Sequence, residues 1–423
     1  LRALPARRRH SCAAACGRVC PDPAAVLLRH ALLGLSLLLG GCAASSPAPL
    51  EQQVYIWQRQ WSGAHATALA QTREDFSALR VLALQAHPRA GWGRAAVDLR
   101  QLAADGRPVI AVVRLDGQLP ALDATRIDAE VLQVVRTWRT AGVTLRGVEI
   151  DHDCATARLP AYAALLRRLR SVLPADLALS ITALPAWLDS PALNSLLRTV
   201  DSSVLQVHAV NAPAAGLFDP VQARRWADRY ARRSATPFWL ALPAYGVALV
   251  DGTDADAAPL IESEAPLAAS GTRRELRVSP QQLAAFVDAL RAHRPPHLAG
   301  IVWFRLPLPG DRRAWPLATL QAVVRGRALH PAVQVQASGT GPVYDLTLAN
   351  HGNAAAAPPR RVILRGSICE AGDALGDYRL HLSAQAPSFD RTPTSPSLAA
   401  GERRALGWVR CRTLHTGAID VLP

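Results

Sequence analysis

The chain contains neither Met nor Lys, and all 47 of its basic residues are Arg. This skew reads as the codon bias of GC-rich coding DNA rather than a functional choice. A first residue Leu1 in a chain without Met points to an unusual start codon or to a gene start displaced from the translated one. Long apolar runs are missing too: Ala31–Leu39 is too short to cross a membrane as a helix. Outside the first residues no basic run exceeds two or three, and the arginines are scattered at solvent-facing helical spacing. That pattern, with no nucleic-acid motif, excludes a nucleic-acid partner. No Gly-rich phosphate turn follows the first apolar run, which argues against an open doubly wound sheet. No Ser-centred turn surrounds Ser180 or Thr182, so neither reads as a nucleophile. Metal-ligand spacing of the usual kind is absent, and no metal or cofactor is expected.

The N-terminal region has the order of a lipoprotein signal. Arg29 supplies positive charge, Ala31–Leu39 the hydrophobic stretch, and Leu39-Gly40-Gly41-Cys42 resembles the bacterial lipobox. Cys42 is then the lipidated residue and the mature N-terminus. By analogy with Gram-negative lipoproteins, the non-acidic Ala43 implies sorting to the outer membrane, facing the periplasm. Residues 1–26, with Cys12, Cys16 and Cys20, have no clear physical role, since no fourth ligand follows at a useful spacing. Loss of residues 1–41 leaves 41 Arg against 32 acids, a charge of +9. In the envelope such a chain would neighbour anionic lipid or glycan. Cys369 and Cys411 are expected to pair in an oxidising periplasm. Cys154 reads as a buried structural thiol.

The 423 residues suggest two or three domains, or one large barrel plus a small module. Residues 1–42 are leader and 43–52 a Pro-containing tether. Over 53–328, apolar runs alternate with helical patterns. Strands are expected at Val54–Gln58, Arg80–His87, Pro108–Leu115, Leu145–Asp151, Leu177–Leu184, Ser203–Val210, Pro237–Pro243 and Gly300–Leu306. Helices are expected between them, among them Ala124–Ala141, Leu159–Val172, Asp219–Arg233 and Ser279–Ala292. This alternation predicts an α/β fold, a (β/α)8 TIM barrel. The stretch Gly246–Val278 shows little periodicity and reads as a mobile lid or rim loop. From 329 to 423, short alternating runs separated by turns predict a small C-terminal β-sandwich.

The most informative segment is Gly147-Val148-Glu149-Ile150-Asp151-His152-Asp153. Alternate strand residues share a face, so Glu149, Asp151 and Asp153 point together while His152 points to the helices. Crowded carboxylates raise each other's pKa and suit proton or metal chemistry. Barrel enzymes place reactive groups at the C-terminal strand ends. Those ends supply Tyr55, Trp57, Gln85, His87, Arg114, Asp116, Gln206, His208, Tyr245, Trp303 and Arg305. Aromatic faces beside carboxylates suit sugar rings and acid attack on a glycosidic oxygen.

The same segment resembles the fourth-strand motif D-G-x-D-x-D-x-E of chitinase-type (family eighteen) glycoside hydrolases. The resemblance implies that Glu149 and Asp151 take the supporting aspartate positions and Asp153 that of the catalytic glutamic acid. Trp303 resembles the eighth-strand tryptophan that floors the sugar site. Tyr55-x-Trp57-Gln58, Asp151-x-Asp153-Cys154, Leu179–Pro185 and Leu217–Pro220 also resemble an uncharacterised bacterial family, domain of unknown function 3142, over most of residues 53–325. Two departures argue against N-acetyl-assisted chitin hydrolysis. Asp153 is one methylene shorter than glutamate, where a 1 Å misplacement costs about 10²-fold. Gln206-Val207-His208-Ala209 replaces the family's Met-x-Tyr-Asp, with His208 as a substitute donor.

The expected function is hydrolysis of a cell-envelope or exported polysaccharide. Asp153 would act as acid, with Asp151 or Asp116 stabilising positive charge, or with Asp116 as the base of an inverting pair. The alternatives are a non-catalytic glycan-binding lipoprotein, a structural envelope protein, a metal site drawing on His152 or His208, and an ion-pair network with Arg114 and Arg305. The lipobox generates its own prediction: Cys42→Ala should move the protein from the membrane to the soluble envelope fraction, and unchanged membrane recovery would remove the anchor.

Overall fold

The computed structural model describes residues 49–208, 216–250, 260–262, 272–384, 386–392 and 396–423. The lipobox and Cys12, Cys16, Cys20 and Cys42 lie outside the described residues. Eight parallel strands run in chain order: Glu51–Ile56, Ala78–His87, Val109–Leu115, Leu145–Asp151, Ala178–Ala183, Ser202–Gln206, Phe238–Pro243 and Leu298–Phe304. Each pairs with the next, and the first also pairs with the eighth, from Glu51 opposite Gly300 to Val54 opposite Trp303. The barrel is therefore closed. Its strands are almost continuously apolar because helices cover the outer face while side chains fill the interior.

The helices start where acidic or hydroxyl residues satisfy free backbone N–H groups. Asp98 accepts from Arg100 and Gln101, Asp123 from Arg126, Asp219 from Val221 and Gln222, and Ser279 from Gln282. Each such cap contributes about 1 kcal/mol. Helix Ala124–Thr140 buries Ile127, Val131, Val134, Val135 and Trp138 on one stripe. Helix Leu159–Val172 does the same with Tyr162, Leu165, Leu166 and Leu169. These stripes meet the outward strand residues in the main core. A second, smaller cluster lies inside the barrel: Tyr55, Trp57, Leu82, Val112, Val204, Ala241 and Val302.

Two expectations are corrected and one strand is added. The first strand begins at Glu51, inside the expected tether, because Glu51 and Gln52 pair with Gly300 and Ile301. The second strand turns back through an antiparallel strand, Gly91–Arg94, placing His87 opposite Gly91. The stretch after the seventh strand is not a plain rim loop. Its described residues form a three-stranded antiparallel sheet, with Gly246–Val250 between Leu260–Glu262 and Arg273–Arg277. Val247, Ala248, Leu249 and Val250 are buried. A buried strand must place its backbone N–H and C=O groups somewhere, and the two flanking strands take them.

From Val333 the chain forms two four-stranded antiparallel sheets. One is ordered Val333–Ser338, Val343–Asn350, Arg403–Thr413, Ile368–Ala374; the other Tyr378–His381, Ser388–Arg391, Arg361–Leu364, Ile419–Leu422. Leu346, Leu348, Val362, Leu364, Phe389, Leu406 and Val409 fill the space between them. Cys369 and Cys411, 42 residues apart, form a disulfide beside this core, of a kind that contributes about 2–4 kcal/mol. The module meets the barrel at its last helix, where the Thr319 hydroxyl donates to Asn353 O at 2.8 Å.

The seam between the first and eighth strands depends on Gly300. A Cβ there would lie 2.2 Å from the Glu51 carbonyl oxygen, which is backbone and cannot swing aside. Gly300→Ala is expected to destabilise the protein by about 1–3 kcal/mol, read as a lower urea midpoint. An unchanged midpoint would mean that the seam relaxes freely.

Candidate active site

The site is layered along the barrel axis. Deepest is Glu149, 0 % exposed, on the inward face of the fourth strand. The Tyr55 hydroxyl donates to Oε1 at 2.7 Å, and Arg80 donates through Nη1 to Oε2. Thr182 and Ser180 hydroxyls lie at 3.4 and 3.5 Å. Arg80 is 2 % exposed; it also donates to Gln53 Oε1 at 2.9 Å and lies 5.4 Å from the Trp239 ring centroid. Burial raises the Glu149 pKa, while Arg80 and the Tyr55 hydroxyl hold it down against that push. Tyr55 is raised well above its ordinary range, by burial first and then by the Glu149 charge, so it remains a donor.

One step toward the strand ends, Arg114 donates through Nη1 to Asp151 Oδ2 and through Nη2 to Asp153 Oδ2, the latter at 3.1 Å. Asp151 is buried, whereas the Asp153 side chain is 29 % exposed. Burial and then the Asp151 charge push Asp153 up to about 6, against the pull of Arg114. Asp151 first, and Asp153 after it, raise the Arg114 guanidinium further above its already high value. The remaining oxygens, Asp151 Oδ1 and Asp153 Oδ1, are shielded from solvent with no hydrogen-bond partner among the described residues. The loop after the third strand lies against this end. A Cβ on Gly117 would stand 1.9 Å from Asp153 O. Asp116 is fixed there by accepting from Gln118 N at 2.8 Å, and its charge adds to the upward push on Asp153.

Aromatic rings pack together at the same strand ends, where Tyr55, Trp57 and Tyr245 are buried and Phe304 is half-buried. Trp57, Tyr55 and Tyr245 each meet Phe304 edge-on, with centroids 5.2, 5.8 and 5.4 Å apart. Arg114 lies 5.9 Å from the Trp57 centroid. His208 stacks on Phe304 at 5.9 Å, and its Nδ1 is 3.4 Å from Ala241 O. Burial lowers its pKa to about 4, so it is neutral near pH 7. Gln206, half-buried, shares the inward face with Val204.

Several expected residues stand elsewhere. Trp303 is 0 % exposed and faces outward, donating Nε1–H to Gln52 Oε1 at 2.8 Å and lying 6.2 Å from Trp315. It fills the layer between barrel and helices, and Phe304 next to it faces the mouth. His87 Nδ1 accepts from the backbone of Arg89 and Ala90, both at 3.2 Å, and so holds the hairpin turn. Arg305, which the ion-pair alternative joined to the carboxylates, donates among the described residues to Asp311 Oδ2, at 2.7 Å from Nη2 and 3.2 Å from Nε. His152 points to the helices, as parity implies, with its ring 5.0 Å from Tyr162. Cys154 is a buried free thiol, raised to about 11 by burial. Among the described residues, no group of three His, Cys, Asp or Glu side chains is placed to hold a metal.

Sequence reasoning missed Arg80 as a site residue, although a charge within the apolar run Ala78–Ala86 is a signal that a buried counter-charge exists. It also missed Phe304, which strand parity with Val302 would have found.

Residues 105–309 match the family model described as Domain of unknown function (DUF3142), in agreement with the resemblance read from the motifs. Residues 333–412 match a second, Domain of unknown function (DUF8456). Among solved structures, the chain is similar to the spore cortex-lytic enzyme SleL of Bacillus cereus, at 13 % identity and a TM-score of 0.49, covering 66 % of this chain and 74 % of that one. It is also similar to a chitinase from Chromobacterium violaceum, at 13 % identity, TM-score 0.47, and 66 % and 98 % coverage. A chitinase from Bacteroides thetaiotaomicron matches at 11 % identity, TM-score 0.48, and 67 % and 99 % coverage. No curated protein matches.

The deep pair makes a separable prediction. Glu149→Gln leaves the Arg80 guanidinium buried without its counter-charge, and is expected to cost about 3–5 kcal/mol in chemical unfolding. Replacing both partners, Arg80→Met with Glu149→Leu, should recover most of that loss. A double variant no more stable than the single one would show that the two do not act as a pair.

Proposed function

We propose that the barrel hydrolyses a glycosidic bond in a cell-envelope or exported polysaccharide, with Asp153 as general acid. One observation carries this reading. Asp153 is the cluster carboxyl that reaches solvent at the aromatic mouth, and burial holds its pKa up to about 6. A general acid works best with a pKa near the working pH. In this reading the sugar ring rests against Trp57, Phe304 and Tyr245. Asp153 gives its proton to the glycosidic oxygen as the bond to the leaving group breaks. Asp151, oriented by Arg114, faces the positive charge that develops on the ring, and water adds to that ring carbon as Asp116, the second carboxylate, takes its proton. Glu149 is the support beneath them, and His208 a neutral donor. The reading includes attachment to the envelope membrane through a lipidated Cys42, facing the periplasm.

A second reading, a non-catalytic glycan-binding lipoprotein, is favoured by one contact: Arg114 donates to both Asp151 and Asp153. A carboxylate tied to a guanidinium binds sugar hydroxyls well and takes up a proton less readily.

The sign of the pH dependence follows from the raised pKa. Below about pH 6 Asp153 carries its proton and can donate it, and above that value the protonated fraction falls about tenfold per pH unit. Release of reducing ends from a panel of bacterial and plant glycans should therefore decline above about pH 6. Asp153→Asn should lower kcat/KM by about 10²–10⁴-fold with an unchanged circular dichroism spectrum. Full activity in the variant would remove Asp153 from the role. Tight glycan binding without cleavage by the parent would decide for the second reading.

A further inference from the structure

The eight barrel strands are parallel, so their first residues lie at one end, the base, and the carboxylates of the site lie at the other. The chain enters at the base. Pro49 and Leu50, just before the first strand, share a hollow with Glu74 and Asp75, which precede the second strand. Arg291 and Arg325, at the lower ends of the last two barrel helices, complete the hollow. Its walls are tied together. Arg325 donates through Nη2 to Asp75 Oδ2 at 3.0 Å, and Arg291 donates through Nη2 to Val324 O at 3.0 Å. The connection to the sandwich starts at Arg325, just after the last barrel helix. Both connections therefore leave the barrel at the end opposite to Asp151 and Asp153.

The first strand starts at Glu51, so only residues 43–50 separate it from Cys42. Fully extended, that stretch reaches at most about 30 Å. Helix Ala124–Thr140 runs from the strand ends back to the base; its 17 residues rise about 26 Å along the barrel wall. The helix layer outside the strands is itself about 10 Å thick. A lipid on Cys42 inserted beside the strand ends would require the chain to pass outward beneath that layer and then climb the wall. That path is longer than the tether. With the lipid inserted on the base side, the same residues reach the bilayer with slack.

We infer that the base of the barrel is the face held toward the anchoring membrane and that the site opens away from it. A glycan that reaches the site then lies off that membrane and is not the headgroup of a lipid within it. The inference rests on the reading of Cys42 as lipidated. Its test uses the full-length acylated protein, added to preformed vesicles of phosphatidylethanolamine and phosphatidylglycerol with rhodamine on some headgroups. A fluorescein donor is attached at the base through Ala175→Cys, or at the hairpin beyond the second strand through Ala90→Cys. Both positions are exposed and outside the site. Energy transfer to the membrane should be about twofold or more greater from the base label, because the two ends stand about 26 Å apart along the wall. Cys42→Ala should abolish transfer from both positions. The mass of the N-terminal peptide reports acylation separately. An unacylated Cys42 would overturn the anchor and the inference with it. An acylated protein whose two labels transfer equally, or whose hairpin label transfers more, would overturn the inference and leave the anchor standing. No glycan enters the measurement, so it is independent of the glycan reading of the site.

Discussion

The arrangement of the barrel interior turns on the buried contact between Arg80 and Glu149. The two are 69 positions apart and come from the second and fourth strands. Neither charge would tolerate the closed barrel alone, since an unpaired buried ion costs several kcal/mol. Together with Tyr55, Gln53, Ser180 and Thr182 they form a polar plug joining the first, second, fourth and fifth strands. Such a network gives little net stability over an apolar core. It ties those strands together beneath the site, and the period of the fourth strand sets Asp151 and Asp153 at successive heights above it on the same face.

Above it the second arginine works differently. Arg114 is partly exposed and divides its donors between two carboxylates of unequal burial. Asp151 lies buried against Arg114 Nη1, while Asp153 is pulled both ways, by burial and Asp151 toward protonation and by Arg114 toward ionisation. Placing two acids in different environments is how one site separates a proton donor from a charge stabiliser. Phe304 brings together the rings of Tyr55, Trp57, Tyr245 and His208 at the strand ends.

Much of this was legible in the chain. Alternating apolar strands and amphipathic helices indicate a barrel, because both periodicities are local. Leu145–Asp151 and Leu159–Val172 stand where the pattern places them, and period-two parity separates inward Asp151 from outward His152. The second domain reads less clearly. Ile368–Ala374, Ser388–Arg391 and Ile419–Leu422 are short strands whose alternation is broken by charged or small residues. Their assignment depends on pairing partners that local sequence does not show.

The sequence by itself determined the strand–helix order, the shared face of Glu149, Asp151 and Asp153, and the capping residues that start the helices. Each follows from spacings of two to four residues along one backbone. Only the tertiary structure decided that Arg80 meets Glu149 and Arg114 bridges Asp151 and Asp153, that Arg305 turns to Asp311, and that Phe304 rather than Trp303 faces the mouth. It also decided that Gly246–Val250 is the middle strand of a sheet. These outcomes depend on which segments barrel closure brings together, and on one-residue shifts in where a strand begins, which reverse the side every later residue faces.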